Sequence, residues 1–318
     1  MLLADPVLKP VELIPASRNS FPAALRGSFN SSGVYLWKNL ECFSFLNKRY
    51  QCKKGNGICF CCIFRSMEYQ PRSYRQQFNP ARFASFTVQY LETDLWIGMD
   101  HASFRKEIAE VALHEVMDLR TRLDSYIHEF PPFGASLEPL KLFPGAPPEA
   151  QEMAAACTRS GTGPMAAVAG MFALRAAEKI RKHFPLQELI VENGGDYFLL
   201  LKEDLLMTIY AGDSPLSEKI GILIPAGETP CGVCTSSGTV GHSLSFGKAD
   251  AVMVACASPV LADAWATALA NRVKTPADIE PVLKYSEQFP EIRSLVIICE
   301  DKTGIRGNFE VRFIHSSA

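Results

Sequence analysis

No apolar run in this sequence reaches the ~18 residues that a membrane-spanning helix requires. Nor is there an excess of either charge: 32 Lys and Arg face 34 Asp and Glu, for a net charge near −2. That balance speaks against nucleic acid and anionic membrane surfaces as partners. The opening residues lack the basic, apolar, then small-residue order of a secretory leader, so a cytoplasmic location is expected. Repeats of fixed period are absent, which sets aside repeat architectures. What remains is an ordinary globular composition, 47% hydrophobic and 21% charged over 318 residues, with ample core.

The averages conceal a break near Met67. Nine of the basic residues but only three acids precede it, so a segment of about +6 leads into one of about −8. Five of the ten cysteines also fall there, at Cys42, Cys52, Cys59, Cys61 and Cys62. Their spacing matches neither paired zinc-ligand units nor an even disulfide set, and neither helical nor strand periodicity is sustained. Three readings compete for residues 1–66: a disordered basic tail, a small metal module, or sequence translated upstream of a later start at Met67. The last is preferred, and residues 67–318 are expected to form the functional domain.

Alternation predicts a strand over 83–90 and a hairpin partner over 94–99. Helical spacing runs over 103–129 until Pro131-Pro132 stops it. After a proline-rich connection over 134–148, helices are expected over 148–158 and 164–183, the second with Pro164 in its first turn. Strands follow over 188–192, 197–201, 205–210 and 219–224, then a loop over 231–248 and a strand over 251–257. Ser258-Pro259 reads as the cap and first residue of a helix reaching Asn271. A helix over 276–288 and strands over 294–299 and 308–314 complete the pattern. Strands and helices mix without strict alternation, which favours an α+β sheet-and-helix sandwich over a doubly wound parallel sheet.

The densest chemical signal is Cys231-Gly-Val-Cys-Thr-Ser-Ser-Gly-Thr-Val-Gly-His-Ser-Leu-Ser-Phe-Gly-Lys248. Glycines and hydroxyls at this density open backbone N–H groups to a phosphate or carboxylate. Thr235, Ser236, Ser237, Gly238 and Thr239 are the candidate anion contacts. Lys248 adds a cation, and His242 a group able to move a proton near neutrality. Cys231 and Cys234 form a Cys-x-x-Cys, a spacing that can lower a thiol pKa; Cys234 is the better candidate nucleophile.

Leu261-Ala-Asp-Ala-Trp-Ala-Thr-Ala-Leu269 is the second signal. Asp263 and Thr267 stand at i and i+4, one turn apart on a helix. Their neighbours are alanines, so the carboxylate sits in tight packing and needs compensation. A divalent cation would provide it, with Thr267 as a neutral oxygen ligand; an interaction with the helix dipole is the competing account. In Val191-Glu-Asn-Gly-Gly-Asp196, the Asn-Gly-Gly is explained by a hairpin turn alone. Gly161-Thr-Gly-Pro-Met-Ala-Ala-Val-Ala-Gly170 permits close backbone packing and could receive an anion at a helix start.

Four stretches in order resemble an uncharacterised bacterial and archaeal family related to the ApbE-type flavin transferases. They are Gly163-Pro-Met-Ala-Ala-Val-Ala-Gly170, Glu192-Asn-Gly-Gly-Asp196, Cys234-Thr-Ser-Ser-Gly-Thr-Val-Gly-His-Ser243 with Gly247-Lys-Ala-Asp250, and Ala262-Asp-Ala-Trp-Ala-Thr267. The resemblance implies an α+β, ApbE-like (T-fold-related) single domain, with an antiparallel sheet packed against helices. It implies Mg²⁺ on Asp263 and Thr267 and a flavin nucleotide, FAD or FMN, flanked by Asn193, Gly194, Gly195, Asp196 and the Ser237-Gly238 segment. It also implies metal-assisted transferase chemistry. Two departures stand out: Ala169 occupies the position of a lysine in the flavin transferases, and the loop holding His242 and Lys248 is shorter than theirs. The rival expectations are a sulfur relay through Cys234 and a non-catalytic flavin-binding or scaffold protein. A small-molecule ligand is expected as partner, and a homo-oligomer is compatible with the sequence.

Overall fold

The computed structural model describes residues 72–240 and 246–314, together with the backbone of a two-strand pair, Ser28–Phe29 with Tyr35–Leu36. The expectations for residues 1–66 and for His242 otherwise lie outside the described residues.

Eight strands form one antiparallel sheet. In chain order they are β1 (Phe83–Tyr90), β2 (Thr93–Asp100), β3 (Leu189–Asn193), β4 (Asp196–Leu200), β7 (Cys231–Ser236), β8 (Ala251–Cys256), β9 (Ser294–Cys299) and β10 (Lys302–Gly307). Their spatial order is β10-β9-β8-β7-β4-β3-β2-β1, so early and late parts of the chain meet where β4 pairs with β7. A smaller antiparallel sheet joins β5 (Leu205–Thr208), β6 (Ile220–Ile224) and β11 (Val311–Phe313) in the order β11-β6-β5.

One face of the large sheet carries the helices: α1 (Glu107–Glu129), the short α2 (Pro131–Ala135), α3 (Pro148–Ser160), α4 (Val168–His183), α5 (Pro259–Ala270) and α6 (Ile279–Ser286). Leu95, Ile97, Met99, Val191 and Phe198 pack there with residues of α1 and α4, while Cys234, Val252 and Val254 pack with residues of α5. The other face buries Trp96, Tyr197, Val233 and Met253 with Met207, Ile220 and Ile222 of the small sheet. Covering on both sides makes β8 and β9 buried along their whole lengths, and it erases polar–apolar alternation from their sequences. The result is the mixed α+β arrangement expected, with antiparallel strands throughout both sheets. Among the described residues no helix is long and apolar enough to cross a membrane.

Three local expectations need correction. Residues 231–236, expected within a loop, form the inner strand β7. Cys231 and Val233 enter one core while Cys234 enters the other, so glycine and small polar residues serve a strand with both faces covered. Strand β10, Lys-Thr-Gly-Ile-Arg-Gly, is not among the expected elements; it is an edge strand pairing with β9 alone, where charges and glycine are tolerated. The last expected strand shortens to Val311–Phe313 and joins the small sheet.

Candidate functional site

The Asn-Gly-Gly-Asp segment is the hairpin turn between β3 and β4, with Asn193 paired to Asp196. Gly194 and Gly195 have φ of 68° and 99°, the left-handed pair that a two-residue turn demands and that glycine accepts without a Cβ clash. Asp196 is in register with Cys234 of β7, so both side chains stand on the helix-covered face. Because Cys231 and Cys234 are three apart on a strand, their side chains leave by opposite faces. The Cys-x-x-Cys therefore forms no thiol pair.

Helix α5 crosses this face directly above the turn. Its start is capped by the Ser258 hydroxyl, which accepts from the Val260 N–H. Two glycines let it approach. A Cβ on Gly232 of β7 would lie 2.2 Å from the Pro259 backbone, and one on Gly170 of α4 would lie 2.4 Å from the Pro259 carbonyl oxygen. Asp263 is thereby pressed against the first turn of α4. The Gly170 N–H donates to Asp263 Oδ2 at 2.9 Å, and the Ala169 N–H donates to the same carboxylate. The anion that the start of α4 could receive is thus supplied by the protein itself. Asn193 Nδ2 donates to the Ala169 carbonyl at 3.1 Å, tying the hairpin turn to the same helix start.

Two buried carboxylates face each other across this junction. Burial pushes Asp263 up to about 7 despite its two amide donors. Burial and then the Asp263 charge push Asp196 well above the usual carboxylate range. Each acid thus disfavours ionisation of the other. Thr267, half-buried, lies one turn beyond Asp263 on α5.

Cys234 sits against both carboxylates, and its thiol donates to the Pro259 carbonyl at 3.3 Å. Burial and the two acids raise its pKa well above the ordinary value, the reverse of what a nucleophilic thiol needs. Burial likewise pushes Cys157 and Cys231 up to about 12. Native protein treated with an alkylating reagent at pH 8 should leave all five described cysteines, each buried, unmodified while unfolded protein reacts fully. Rapid single-site modification at Cys234, read by peptide mass spectrometry, would contradict this geometry.

The remaining candidates divide. Strand alternation puts Thr235 beside Met253 on the face opposite Asp263, whereas Ser236 shares the Asp263 face and its buried hydroxyl has no hydrogen-bond partner among the described residues. Beyond the strand, Ser237 Oγ accepts from the N–H groups of Thr239 and Val240, and the Gly238 N–H donates to the Ala249 carbonyl. Thr239 Oγ1 donates to Asp250 Oδ1 at 2.9 Å, at a polar cleft of about 200 Å³ that Tyr210 and Asp213 also line. Lys248 is exposed; its N–H donates to the Val273 carbonyl, just past the end of α5. The structure therefore gathers Asn193, Asp196, Cys234 and Asp263 into one junction, with Thr267 one helical turn on, and leaves Thr239 and Lys248 at a more open rim.

Sequence reasoning missed the support behind the turn. Glu192, wholly buried on the opposite face, accepts from the Gly195 N–H at 2.9 Å, Tyr74 Oη at 3.0 Å and Arg75 Nε at 2.6 Å. The only sequence signal was a glutamate inside an apolar strand, a position that calls for a partner.

Mg²⁺ can be tested against this donor set. Asp263, Asp196 and Thr267 offer oxygen alone, the chemistry of a hard divalent cation and not of zinc. Two buried acids that raise one another are a place where a cation relieves repulsion. Among the described residues no three His, Cys, Asp or Glu converge as a metal cage. A cation there would complete its shell with water and ligand oxygens, as Mg²⁺ commonly does. The residues fit on those terms.

The combination places the protein in a defined class: the chain belongs to the family described as AbpE bacteria, whose model matches residues 75–285. Its relatives include a UPF0280 protein of Methanocella arvoryzae, 39% identical over 197 residues, covering 62% of this chain and 80% of that one. A UPF0280 protein of Methanocaldococcus jannaschii is 35% identical over 221 residues, covering 68% and 87%. Among solved structures, the apo form of the Pseudomonas stutzeri flavinyl transferase ApbE aligns with TM-score 0.46 at 14% identity, over 71% of this chain and 94% of that one.

Proposed function

We propose that this protein binds a phosphate-bearing small molecule or nucleotide, a flavin diphosphate foremost, at the Asp196–Asp263 junction, and performs metal-assisted transfer chemistry there. The observation that carries the reading is the Asp263 carboxylate, buried beside a second acid yet fixed in orientation by the Ala169 and Gly170 amides. Membership of the AbpE family and the motif resemblance to flavin transferases support the ligand class. Asp263 and Thr267 would hold Mg²⁺. Bound there, the cation supplies neutralisation of charge developing on a departing phosphate oxygen.

The protein's own groups have separable tasks. Ala169 and Gly170 orient Asp263 so that only one of its oxygens is committed to the Gly170 amide at 2.9 Å. Asn193 links the hairpin turn to the same helix start. Ser236, with an unpaired buried hydroxyl on this face, and the Ser237-Gly238 turn are the nearest neutral donors for a phosphate oxygen. Lys248 supplies positive charge at the rim, and proton handling is assigned to His242.

The test is equilibrium binding of FAD to the full chain, followed by flavin fluorescence with and without Mg²⁺. Binding that requires Mg²⁺ and weakens at least about 100-fold in Thr267→Val and Asp263→Ala together is expected, since both proposed protein ligands to the metal are then gone. FAD and FMN that bind equally well with and without Mg²⁺, or not at all, would refute the reading.

A further inference from the structure

The segment before β1 is built into the sheet in an unusual way. A single-turn 3-10 helix, Ser73–Gln77, lies under the β3–β4 hairpin on the face away from Asp263. Arg75 spans two strands: its Nε meets Glu192 Oε2 at 2.6 Å, its Nη1 meets Asp94 Oδ1 at 3.0 Å, and its Nη2 donates to the Asp94 carbonyl at 2.8 Å. Arg72 adds a second bond to that carbonyl at 2.6 Å. The Tyr74 hydroxyl donates to Glu192, and the Tyr74 ring rests 6.0 Å from Tyr210, which lines the cleft with Thr239.

A buried ion pair of this kind is a poor way to gain stability, because hydrophobic residues of similar volume commonly serve as well or better. A two-residue hairpin turn also needs no outside acceptor for its third N–H. Yet Glu192 Oε1 takes the Gly195 N–H, while the Gly195 carbonyl accepts from the Thr235 N–H at 3.2 Å. The turn is thus held by Glu192 beneath, by β7 at its side and by Asn193 bonding to Ala169 above. Asp196 is the next residue along.

We infer that the Arg75–Glu192 pair is a positioning device for the ligand site: it clamps the Gly195 amide and so fixes where Asn193 and Asp196 meet Asp263. Arg75 and Glu192 themselves touch no ligand, standing on the far face of the sheet. This inference rests on the ligand reading above, but it makes a claim about the turn that can be read without any ligand.

The experiment uses the full chain with Glu192→Gln, which keeps an oxygen acceptor for Gly195, and Glu192→Met, which fills the space without one. In hydrogen exchange, the Gly194 and Gly195 amides of Glu192→Met should exchange at least about 10-fold faster, with the α4 and β7 amides unchanged, and Glu192→Gln should stay within about threefold of wild type. The Kd for FAD with Mg²⁺ should rise at least about 10-fold in Glu192→Met and about threefold or less in Glu192→Gln. If Glu192→Met does not fold, the double variant Arg75→Met with Glu192→Met, which leaves neither charge unpaired, carries the same two readouts. A purely structural role would lower the melting temperature while leaving turn exchange and Kd alike in both variants, and that result would overturn the inference. Wild-type protein that binds no FAD would instead refute the ligand reading, with the exchange data still deciding whether Glu192 fixes the turn.

Discussion

Asp263→Asn should reduce, without abolishing, the decline in stability that the ligand-free protein shows between about pH 4 and pH 7. Asp263 titrates near 7 in the folded protein and near its ordinary 3.8 when unfolded, and Asp196 is raised in the same direction. The folded state therefore binds more protons than the unfolded state within that window, and stability falls as pH rises through it. Above the folded pKa the loss is complete and the curve flattens. Carboxylates with depressed values, among them Asp100, held down by Ser103 and by the backbone amides of residues 187 and 188, act oppositely. Their contribution disappears only as pH drops below about 4, so the two effects occupy different windows.

The decline should amount to a few kcal/mol at most, with each kcal/mol worth roughly 2–4 °C in a domain of this size. In Asp263→Asn the amide oxygen can still accept from Gly170, while the weaker acceptor loses part of the hold of the two amides, a cost of about 1–3 kcal/mol that does not vary with pH. Melting curves at half-unit pH intervals would show a steeper slope in the wild type than in the variant, where Asp196 still contributes through its burial. Parallel slopes would mean that the acids do not interact as described.

Gly170→Ala should be severely destabilising, against the ordinary rule that alanine improves a helix by about 1 kcal/mol over glycine. Here the added methyl would stand 2.4 Å from the Pro259 carbonyl oxygen and 3.0 Å from Asp263 Cβ. The first obstacle is backbone, so relief requires α4 and α5 to separate. Overpacking of a filled interior costs about 1–3 kcal/mol and occasionally more. Separation would also break the Gly170–Asp263 hydrogen bond and leave a buried carboxylate short of a donor. Denaturant midpoints should fall accordingly. Gly232→Ala, whose methyl would meet the other side of Pro259 at 2.2 Å, should behave similarly. Wild-type midpoints in both would show that the helix start is not wedged.

The sequence carried the α4, α5 and hairpin signals because each depends on local chemistry: Ser258-Pro259 as a cap, Asn-Gly-Gly as a turn, and Asp263 and Thr267 one helical turn apart. The junction itself is non-local. Asp263 finds its amide donors 93 and 94 positions earlier in the chain, at Gly170 and Ala169, and nothing in either segment names the other. Residues 231–236 misled for a physical reason. A strand buried on both faces has no alternation, and at Gly232, where Pro259 must approach, it cannot carry a side chain at all. Glu192 and Arg75 escaped notice because ion pairs across 117 positions leave no periodic trace.

The central claim is that Asp263, buried beside a second acid and raised to about 7, holds Mg²⁺ with Thr267 for a phosphate-bearing ligand. Titration calorimetry of Mg²⁺ with FAD present, at pH 6.5 in two buffers of different ionisation enthalpy, tests it most directly, because a cation entering such a site must displace its proton. Wild-type protein should bind Mg²⁺ with release of a proton, and Asp263→Asn should bind at least about 100-fold more weakly. Equal Mg²⁺ affinity in the two proteins, or binding with the same heat in both buffers, would contradict the account.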